Sequence, residues 1–226
     1  MSFSQEWEQL YQENQQEAIW PWSHLVSLAH HFGNLHKGMR VLELGCGAGA
    51  NIPFFLQQGA DYYGVDGSPT TVIALQKRFA GKSVHIEMAD FTKLSGVHSG
   101  GAFDLILDRS ALTCNTTEDI EHTISFIWKN LASHGRFFGL DWQSTKHDDY
   151  HQQEGAYLDA KTRVFQTGHF AGMGAMHFVD QNDLARLFRG GRFLYLTEKI
   201  EQHYMPDRHQ SAAWDFVVEK AEGTDE

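Results

Sequence analysis

The stretch VLELGCGAGANIPFF, residues 41–55, decides the fold expected for this chain. It begins as a buried strand with one acid, Glu43, and then has a glycine at every second position from 45 to 49. A helix is expected to follow, with Asn51 as its cap and Pro53 in its first turn. A strand that turns into a helix through glycines lets backbone approach a ligand beside a helix N-terminus. In doubly wound α/β folds, this arrangement binds the nucleotide-like end of a cofactor.

The spacing of the glycines indicates which cofactor is expected. The pattern is E-x-G-x-G-x-G, whereas the dinucleotide fingerprint is G-x-G-x-x-G. It resembles motif I of the class I S-adenosylmethionine-dependent methyltransferases, and the resemblance extends over about residues 37–141 and more loosely to the end. It implies S-adenosylmethionine as the cofactor. It also implies an α/β, doubly wound, Rossmann-like fold with a seven-stranded, mostly parallel sheet whose last strand is antiparallel.

The chain as a whole, residues 1–226, is expected to form a single methyltransferase domain. Residues 1–36 would be a helical lid segment, residues 37–141 the cofactor-binding half, and residues 142–226 a substrate-side insertion followed by closing strands. Strands alternate with helices through the first five strands, which calls for a parallel sheet. These strands are predicted at 40–44, 62–65, 84–88, 103–108 and 136–140, and the two closing strands at 192–204 and 212–220.

Acids follow the glycines at the distances that this resemblance requires. Asp66 comes 21 positions after Gly45, where such folds place the acid that binds ribose hydroxyls. Asp90 and Phe91 follow the third strand and resemble the family's adenine site, in which an acid accepts the amino group and an apolar side chain packs on the ring. The expected cofactor-binding residues are Glu43, Gly45, Cys46, Gly47, Asp66, Gly67, Asp90, Phe91, Asp108, Trp7, Tyr11 and Trp20.

The N-terminal segment is predicted to contain a polar helix over 2–17 and a second helix that begins at Pro21. Four aromatic residues precede the first strand: Trp7, Tyr11, Trp20 and Trp22. Small methyltransferases often carry a comparable segment as a lid over the cofactor, and this one is similar. The alternative is that these rings only dock two helices onto the domain, because aromatic side chains suit both roles.

The fourth strand leads into Asp108-Arg109-Ser110-Ala111-Leu112, which resembles the D-R-x-A-L of thiopurine-like and polysaccharide-cluster methyltransferases. Asp108 is therefore expected near the reacting methyl group. Arg109 is expected to bind an anionic acceptor or to form an internal salt bridge. Beyond the fifth strand, the polar, glycine-punctuated segment 142–177 is interpreted as a substrate-side insertion with little core. Within it, His169 and His177 are candidate catalytic and substrate-binding residues, with ordinary loop roles as the alternative.

Two further features are given structural interpretations. HDDYH, residues 147–151, would place His147 and His151 on one helical face, but a solvated polar loop is favoured, so no metal site is assigned. Cys46 is expected to pack rather than to react. Methyl transfer from a sulfonium needs mainly alignment and exclusion of water, so no catalytic triad is expected. A hydroxyl acceptor would require a base within reach, whereas a thiolate or a neutral amine would not.

Composition limits the partners. With a net charge of −11 over 226 residues, nucleic-acid binding is not expected. The polar N-terminus, the lack of a long apolar run and the presence of only two cysteines favour a soluble, cytoplasmic protein that does not bind membranes. The predicted function is methyl transfer to a small-molecule acceptor. The alternatives are a catalytically silent cofactor- or partner-binding module and, less favoured, an NAD-dependent oxidoreductase. The acceptor and the oligomeric state are left open.

Overall fold

The computed structural model describes residues 5–13, 18–93, 101–152 and 155–221. Both ends of the first predicted helix, 2–17, lie outside the described residues. The helices are α1 (Gln5–Gln12), α2 (Ser23–Phe32), α3 (Ile52–Gln57), α4 (Pro69–Arg78), α5 (Thr117–Asn130), α6 (Asp148–His151) and α7 (Gln181–Leu187). The strands are β1 (Arg40–Leu44), β2 (Asp61–Asp66), β3 (Val84–Met88), β4 (Phe103–Arg109), β5 (Leu131–Gln143), β6 (Ala156–Tyr157), β7 (Thr162–Val164), β8 (Ala175–His177), β9 (Gly191–His203) and β10 (His209–Lys220).

Seven strands form the main sheet in the order β3-β2-β1-β4-β5-β10-β9. Strands β1 to β5 run parallel to one another, and β10 runs antiparallel to both β5 and β9. The predicted fold class is therefore confirmed, including the antiparallel last strand. Because the parallel strands share one direction, their carboxyl ends meet at one edge of the sheet, where ligands bind in doubly wound folds.

The sheet is buried on both faces, as alternating side chains in the central strands require. Val41 of β1 packs in the apolar layer that contains α2, α3 and α4, and its neighbour Leu42 packs in the layer that contains α5 and α7. Leu105 and Ile106 divide in the same way between the two layers. Each of these four side chains is fully buried, so the central strands form the hydrophobic core of the domain.

Local sequence signals explain most of the helix starts, but one predicted helix cap is absent. Ser68 caps α4 by accepting a hydrogen bond from the backbone nitrogen of Thr71, and Asp180 caps α7 with a full capping box. Asn51, however, makes no side-chain cap to α3. Its amide instead donates to Glu43 across 2.8 Å, so the predicted cap is wrong. The helix predicted to begin at Pro21 begins at Ser23, after Trp22 as N-cap.

The segment after β5 is more ordered than its composition indicated. Strands β6, β7 and β8 form a small antiparallel sheet of their own. Behind it lies a separate core of Phe165, Phe170, Met176 and Phe178, each at most 4% exposed. The interpretation of residues 142–177 as a segment with little core is therefore wrong. Strand β5 is also longer than predicted, since it runs from Leu131 to Gln143.

Candidate cofactor and acceptor site

One pocket opens at the carboxyl ends of the parallel strands, between the glycine loop and the N-terminal helices. Its volume is about 180 Å³. Most of the predicted site residues line it together: Trp7, Tyr11, Glu43, Gly45, Cys46, Gly47, Asp66, Gly67, Asp90, Phe91 and Arg109. Four of the predicted site residues do not line the pocket: Trp20, Asp108, His169 and His177.

The loop after β1 takes a shape that needs glycine at two positions. Gly45 has a φ of +66° and Gly47 a φ of +49°, both in the left-handed region that other residues rarely adopt. A Cβ atom at Gly45 would lie 2.3 Å from the Cβ of Ala111, and one at Gly47 would lie 2.7 Å from the hydroxyl of Tyr11. Because both glycines lack a side chain, Ala111 after β4 and Tyr11 of the N-terminal helix α1 can lie close to the loop.

Asp66, at the end of β2, supports this loop. One carboxylate oxygen accepts from the backbone nitrogen of Gly47 at 2.8 Å, and the other accepts from the backbone nitrogen of Ser68 at 2.9 Å. The residue is 4% exposed, and burial raises the pKa of its carboxyl. The oxygen that accepts from Ser68 also accepts from the hydroxyl of Thr71 at 3.4 Å, whereas the oxygen that accepts from Gly47 keeps a second lone pair for a ligand hydroxyl.

Glu43 lies deeper in the pocket wall and is held by two side chains. Asn51 donates to one carboxylate oxygen at 2.8 Å, and the hydroxyl of Tyr62 donates to the other. Burial raises the pKa of Glu43 from 4.5 to about 7, although these two hydrogen bonds oppose the shift. The acid therefore fixes the geometry of the glycine loop and carries only part of its charge near neutral pH.

Asp90 and Phe91 lie together on the far side of the pocket. Asp90 accepts from the backbone nitrogen and the hydroxyl of Thr92 at 3.0 and 2.7 Å, and it forms an ion pair with Lys93 at 3.3 Å. The ring of Phe91 reaches to 3.7 Å from the position that a Cβ of Gly45 would take. An apolar ring beside an oriented carboxylate suits a flat heterocycle with an amino group.

Helix α1 covers one side of the glycine loop. Its Tyr11 lies over Gly47, and its Trp7 packs against Tyr11 with ring centroids 6.2 Å apart. Glu8 fastens the helix by accepting hydrogen bonds from the hydroxyls of Ser68 and Thr70 at the start of α4. Trp22 lines the pocket as well, whereas Trp20 is 78% exposed and does not, so its predicted cofactor contact has no support in the structure.

Asp108 does not face the pocket. It is fully buried, and one of its oxygens accepts from the backbone nitrogens of Ala111 and Leu112 at 3.1 and 2.9 Å. The other accepts from the indole nitrogen of Trp142 at 2.7 Å. Burial raises the pKa of this carboxyl to about 7. Its donors form the turn after β4, so the structure gives Asp108 a supporting role there in place of the predicted catalytic one.

Both candidate histidines lie in the insertion, away from the pocket. His177 is 2% exposed, and its Nδ1 is 2.7 Å from the hydroxyl of Thr162. Burial lowers its pKa to about 4, so the imidazole is neutral. His169 is exposed, and its ring packs against His147 and His209. The expectation that these two side chains contact substrate is not met by their positions.

Arg109 joins a charged network that the sequence did not reveal. Its Nε is 2.7 Å from Asp141, and its guanidinium lies over the ring of Trp22, 3.5 Å from the centroid. Asp141 also pairs with Lys199 at 2.5 Å, and its backbone nitrogen donates to Asp215 at 2.8 Å. Of the two predicted roles for Arg109, the internal salt bridge is present. Asp141, Lys199 and Asp215 carry no local motif, so no sequence signal indicated them.

The charges of the pocket fit a cationic ligand. Glu43, Asp66 and Asp90 line it, and Arg109 is the one basic side chain on the described part of its wall. S-adenosylmethionine carries a positive sulfonium and an amino acid group, whereas NAD carries two phosphates. A wall with three carboxylates and one guanidinium favours the first of these. The residues predicted for the ribose, adenine and glycine-loop contacts therefore form a site of suitable composition.

The described ranges contain neither a cluster of metal ligands nor a membrane-spanning helix. There, no three His, Cys, Asp or Glu side chains come together as a metal site would require. The predicted metal candidate, residues 147–151, instead has His147 as the cap of the short helix α6. In the same ranges, none of the helices combines the length and apolar character needed to cross a bilayer.

The sheet order and the glycine loop are similar to those of class I S-adenosylmethionine-dependent methyltransferases. Comparison with known proteins points the same way: residues 41–135 of this chain match a family model described as a methyltransferase domain. A curated ubiquinone biosynthesis O-methyltransferase from Sinorhizobium fredii is 31% identical over 111 residues, which cover 48% of this chain and 42% of that protein. The match thus spans less than half of the curated relative.

Solved structures share the fold at low identity. One is 1,6-didemethyltoxoflavin-N1-methyltransferase from Burkholderia thailandensis, with bound 1,6-didemethyltoxoflavin and S-adenosylhomocysteine. It is 21% identical, with a TM-score of 0.57 over 87% of this chain and 76% of that one. Another is described as a putative zinc-dependent alcohol dehydrogenase from Rhodobacter sphaeroides; it is 18% identical, with a TM-score of 0.67 over 97% of this chain and 99% of that one. At these identities, the likeness establishes the fold alone.

Proposed function

We propose that this chain transfers the methyl group of S-adenosylmethionine to a small-molecule acceptor. The observation that carries the proposal is the pocket in which Glu43, Asp66 and Asp90 surround a left-handed glycine loop, with Arg109 as the basic side chain of the described wall. That charge balance suits a sulfonium cofactor and opposes the pyrophosphate of NAD, because two phosphates would face three carboxylates.

Each of these residues has a distinct role in the proposal. Asp66 accepts a ribose hydroxyl with the lone pair that Gly47 leaves unused on one carboxylate oxygen. Asp90 accepts the amino group of adenine, and Phe91 packs on the ring. Glu43, held by Tyr62 and Asn51, keeps the loop in the shape that admits the methionine end of the cofactor.

The cofactor supplies an activated methyl group, so the protein has mainly to align the reactants and exclude water. Trp7 and Tyr11 of α1 cover the glycine loop and remove it from solvent. The acceptor side of the pocket is lined by Trp22, Arg109, Ser110, Ala111, Cys114 and Asn115. One aromatic side chain and one guanidinium suit a small, flat or partly charged molecule.

The named relatives support a small acceptor. One is a ubiquinone biosynthesis O-methyltransferase, and the other is a toxoflavin-precursor N-methyltransferase. Both names describe methyl transfer to a small organic molecule, but the acceptor atom differs between them. The proposal therefore extends to small molecules as a class and does not specify the acceptor atom.

Isothermal titration tests the cofactor. S-adenosylhomocysteine should bind at micromolar concentration and NAD should not. Tight binding of NAD alone would overturn the proposal in favour of an oxidoreductase. A methyl-transfer assay with phenols, thiols, amines and small acids should then show turnover. Binding of S-adenosylhomocysteine without turnover of any acceptor would instead identify a silent cofactor-binding module.

A further inference from the structure

The guanidinium of Arg109 is held on two sides but has free donor groups. Its Nε is 2.7 Å from Oδ2 of Asp141, and its central carbon lies 3.5 Å from the centroid of the Trp22 ring. The two terminal nitrogens, Nη1 and Nη2, have no hydrogen-bond partner among the residues that the structure describes. Neither nitrogen is buried, and the side chain lines the pocket with 30% of its surface exposed. The edge formed by Nη1 and Nη2 is therefore available to a ligand.

The contacts of Arg109 fix the plane of its guanidinium and leave the donors of that edge free. A guanidinium that stacks on an aromatic ring keeps its N–H groups at its edge, in the plane of the group. Trp22 is itself held, since its backbone nitrogen donates to Oδ1 of Asn51 at 3.4 Å. The carboxylate of Asp141 is anchored on its other oxygen by Lys199 at 2.5 Å. The guanidinium is thus oriented in advance, which lowers the entropic cost of binding an anion.

The neighbouring polar side chains of the acceptor side use their donors internally. The hydroxyl of Ser110 donates to the carbonyl oxygen of Asp141, and the thiol of Cys114 donates to the carbonyl oxygen of Ser110. The amide nitrogen of Asn115 donates to two carbonyl oxygens of the turn after β4. Measured against the described residues, Arg109 is thus the one of these four pocket-lining side chains with donors left for a ligand.

A carboxylate is the ligand group that fits this edge. Two parallel N–H groups of a guanidinium match the two oxygens of a carboxylate, and such charge-assisted bonds are about twice as strong as neutral ones. A phosphate would match the guanidinium as well, but its two negative charges would face Glu43, Asp66 and Asp90 in the same pocket. Of the two anions, the singly charged carboxylate is therefore favoured.

This preference depends on direct contact, because the charges around Arg109 balance. Asp141 pairs with both Arg109 and Lys199, and Lys199 also pairs with Asp215. Two carboxylates thus compensate two cations, and the network as a whole has little attraction for a distant anion. A ligand gains from Arg109 only where it reaches the free edge. Lys199 does not line the pocket, so its removal would take away as much positive charge without removing that edge.

Arg109 lies between the glycine loop and the acceptor side. Its positive charge opposes the burial that raises the pKa of Glu43, so its field reaches the loop, and it directly precedes Ser110 on the acceptor side. We propose that Arg109 binds a carboxylate group of a ligand in this pocket. The carboxylate belongs to the acceptor, which is then an organic acid, or to the amino acid end of S-adenosylmethionine. This inference rests on the proposed methyl transfer and names the chemical group that the pocket recognises.

Isothermal titration separates the two sources with pairs of ligands that have and lack a carboxylate. In the cofactor pair, S-adenosylhomocysteine is compared with its decarboxylated form, which keeps the amino group. In the acceptor pairs, 3,4-dihydroxybenzoate is compared with catechol and 3-mercaptopropionate with ethanethiol, each in protein saturated with S-adenosylhomocysteine. We expect the wild type to bind the carboxylate member of the cofactor pair or of an acceptor pair about tenfold more tightly or better. No arm of this experiment depends on turnover.

Three variants test whether Arg109 makes the contact. Arg109→Gln should weaken the carboxylate member about tenfold or more and its counterpart less than about threefold. Arg109→Lys keeps a cation beside Asp141, which protects the fold, but a single ammonium should still weaken the carboxylate member about threefold or more. Lys199→Gln is the matched control, because it removes one positive charge from the same network, and it should keep the wild-type preference. Urea unfolding shows which variants are folded.

The pairs also show which ligand carries the carboxylate. A loss in Arg109→Gln that is confined to an acceptor pair supports the inference and makes the acceptor an acid. A loss confined to the cofactor pair supports it and assigns the carboxylate to the cofactor. The inference is overturned by a wild type without preference in any pair, by equal loss of both members in Arg109→Gln, or by the same loss in Lys199→Gln. A wild type that binds neither form of S-adenosylhomocysteine would instead refute the proposed function itself.

Discussion

The hydroxyl of Ser110 donates a hydrogen bond of 2.7 Å to the carbonyl oxygen of Asp141, and both residues have left-handed backbone conformations. The bond ties together the carboxyl ends of β4 and β5, the two strands that support the acceptor side of the pocket. Because Asp141 holds Arg109 and Lys199, a shift of either strand end would move the guanidinium that lines the pocket. The strained backbone conformations of Ser110 and Asp141 therefore occur where the pocket wall has to be held rigid.

This relationship predicts an unusual order of stabilities. Ser110→Ala loses the hydrogen bond and keeps the strain, whereas Ser110→Gly loses the bond but relieves about 1 kcal/mol of strain. We therefore expect the glycine variant to be the more stable of the two in urea unfolding. Ser125, on the exposed face of α5, is the control, since there glycine should be about 1 kcal/mol worse than alanine. The same order at both positions would contradict the assignment of strain to Ser110.

Asp66 is predicted to be the main contact to the ribose. Asp66→Asn removes the charge and one acceptor oxygen, and a hydrogen bond to a charged group contributes about 1.5–3 kcal/mol. The Kd of S-adenosylhomocysteine, measured by calorimetry, should therefore rise at least tenfold. Asp61→Asn, at the opposite end of β2, should leave it unchanged. An unchanged Kd in Asp66→Asn would show that another group binds the ribose.

Because α1 covers the glycine loop, Gly47→Ala should disturb this helix. Its new Cβ would lie 2.7 Å from the hydroxyl of Tyr11, and its φ of +49° is strained for alanine. Hydrogen exchange over residues 5–13 should become faster, and S-adenosylhomocysteine should no longer slow it as in the wild type. Gly81→Ala is the matched control, because Gly81 has a φ of +75° with nothing within 4 Å. Equal exchange in α1 for both variants would argue against a lid.

The sequence predicted the cofactor half in detail because its signals are local. Strands β1 and β3 begin and end at the predicted residues, because both are short segments of strand-forming residues that lie between turns. Ser68 caps α4 as its position before Pro69 indicated. The carboxyl-end acids Asp66 and Asp90 reach the pocket because the parallel arrangement of strands directs them to one edge.

The acceptor half depends on contacts between distant residues. His24 meets Asp215, near the other end of the chain, and no spacing rule connects them. Phe165, Phe170 and Phe178 form a small core although they follow no helical or strand period. Asp108 has the expected position, but the turn after β4 directs two backbone nitrogens at it, and their orientation is a property of the folded chain. Which polar group is open to a ligand was therefore not predictable.

Glu43 is predicted to make stability depend on pH. Burial raises its pKa in the folded protein to about 7 from 4.5, so the folded state binds more protons between these values. Stability should therefore fall as pH rises from about 4.5 to about 7, by at most about 3 kcal/mol, and level off above. Glu43→Gln keeps the shape of the side chain but cannot titrate. The pH dependence of its unfolding free energy, measured in urea at several pH values, should therefore be smaller than that of the wild type. Glu118→Gln, exposed on α5, should retain the wild-type slope.

His177 is predicted to stabilise the insertion rather than to act on substrate. Its Nδ1 is 2.7 Å from the hydroxyl of Thr162, and burial lowers its pKa to about 4 from 6.5. The folded state thus excludes a proton that the unfolded chain binds, so this stability is present above about pH 6.5 and is lost as pH falls toward about 4. His177→Gln cannot be protonated there. Its deficit against the wild type should be about 1–3 kcal/mol at pH 8 and should shrink at pH 5.

Activity separates this structural role from the catalytic one that the sequence indicated. Turnover per folded molecule of His177→Gln at pH 8 should match the wild type, because the side chain is buried against Thr162 of the adjacent strand β7 and outside the pocket wall. His169→Gln provides the comparison from the exposed side of the same segment. Loss of turnover in His177→Gln, with urea unfolding unchanged, would show that the imidazole reaches the acceptor after all.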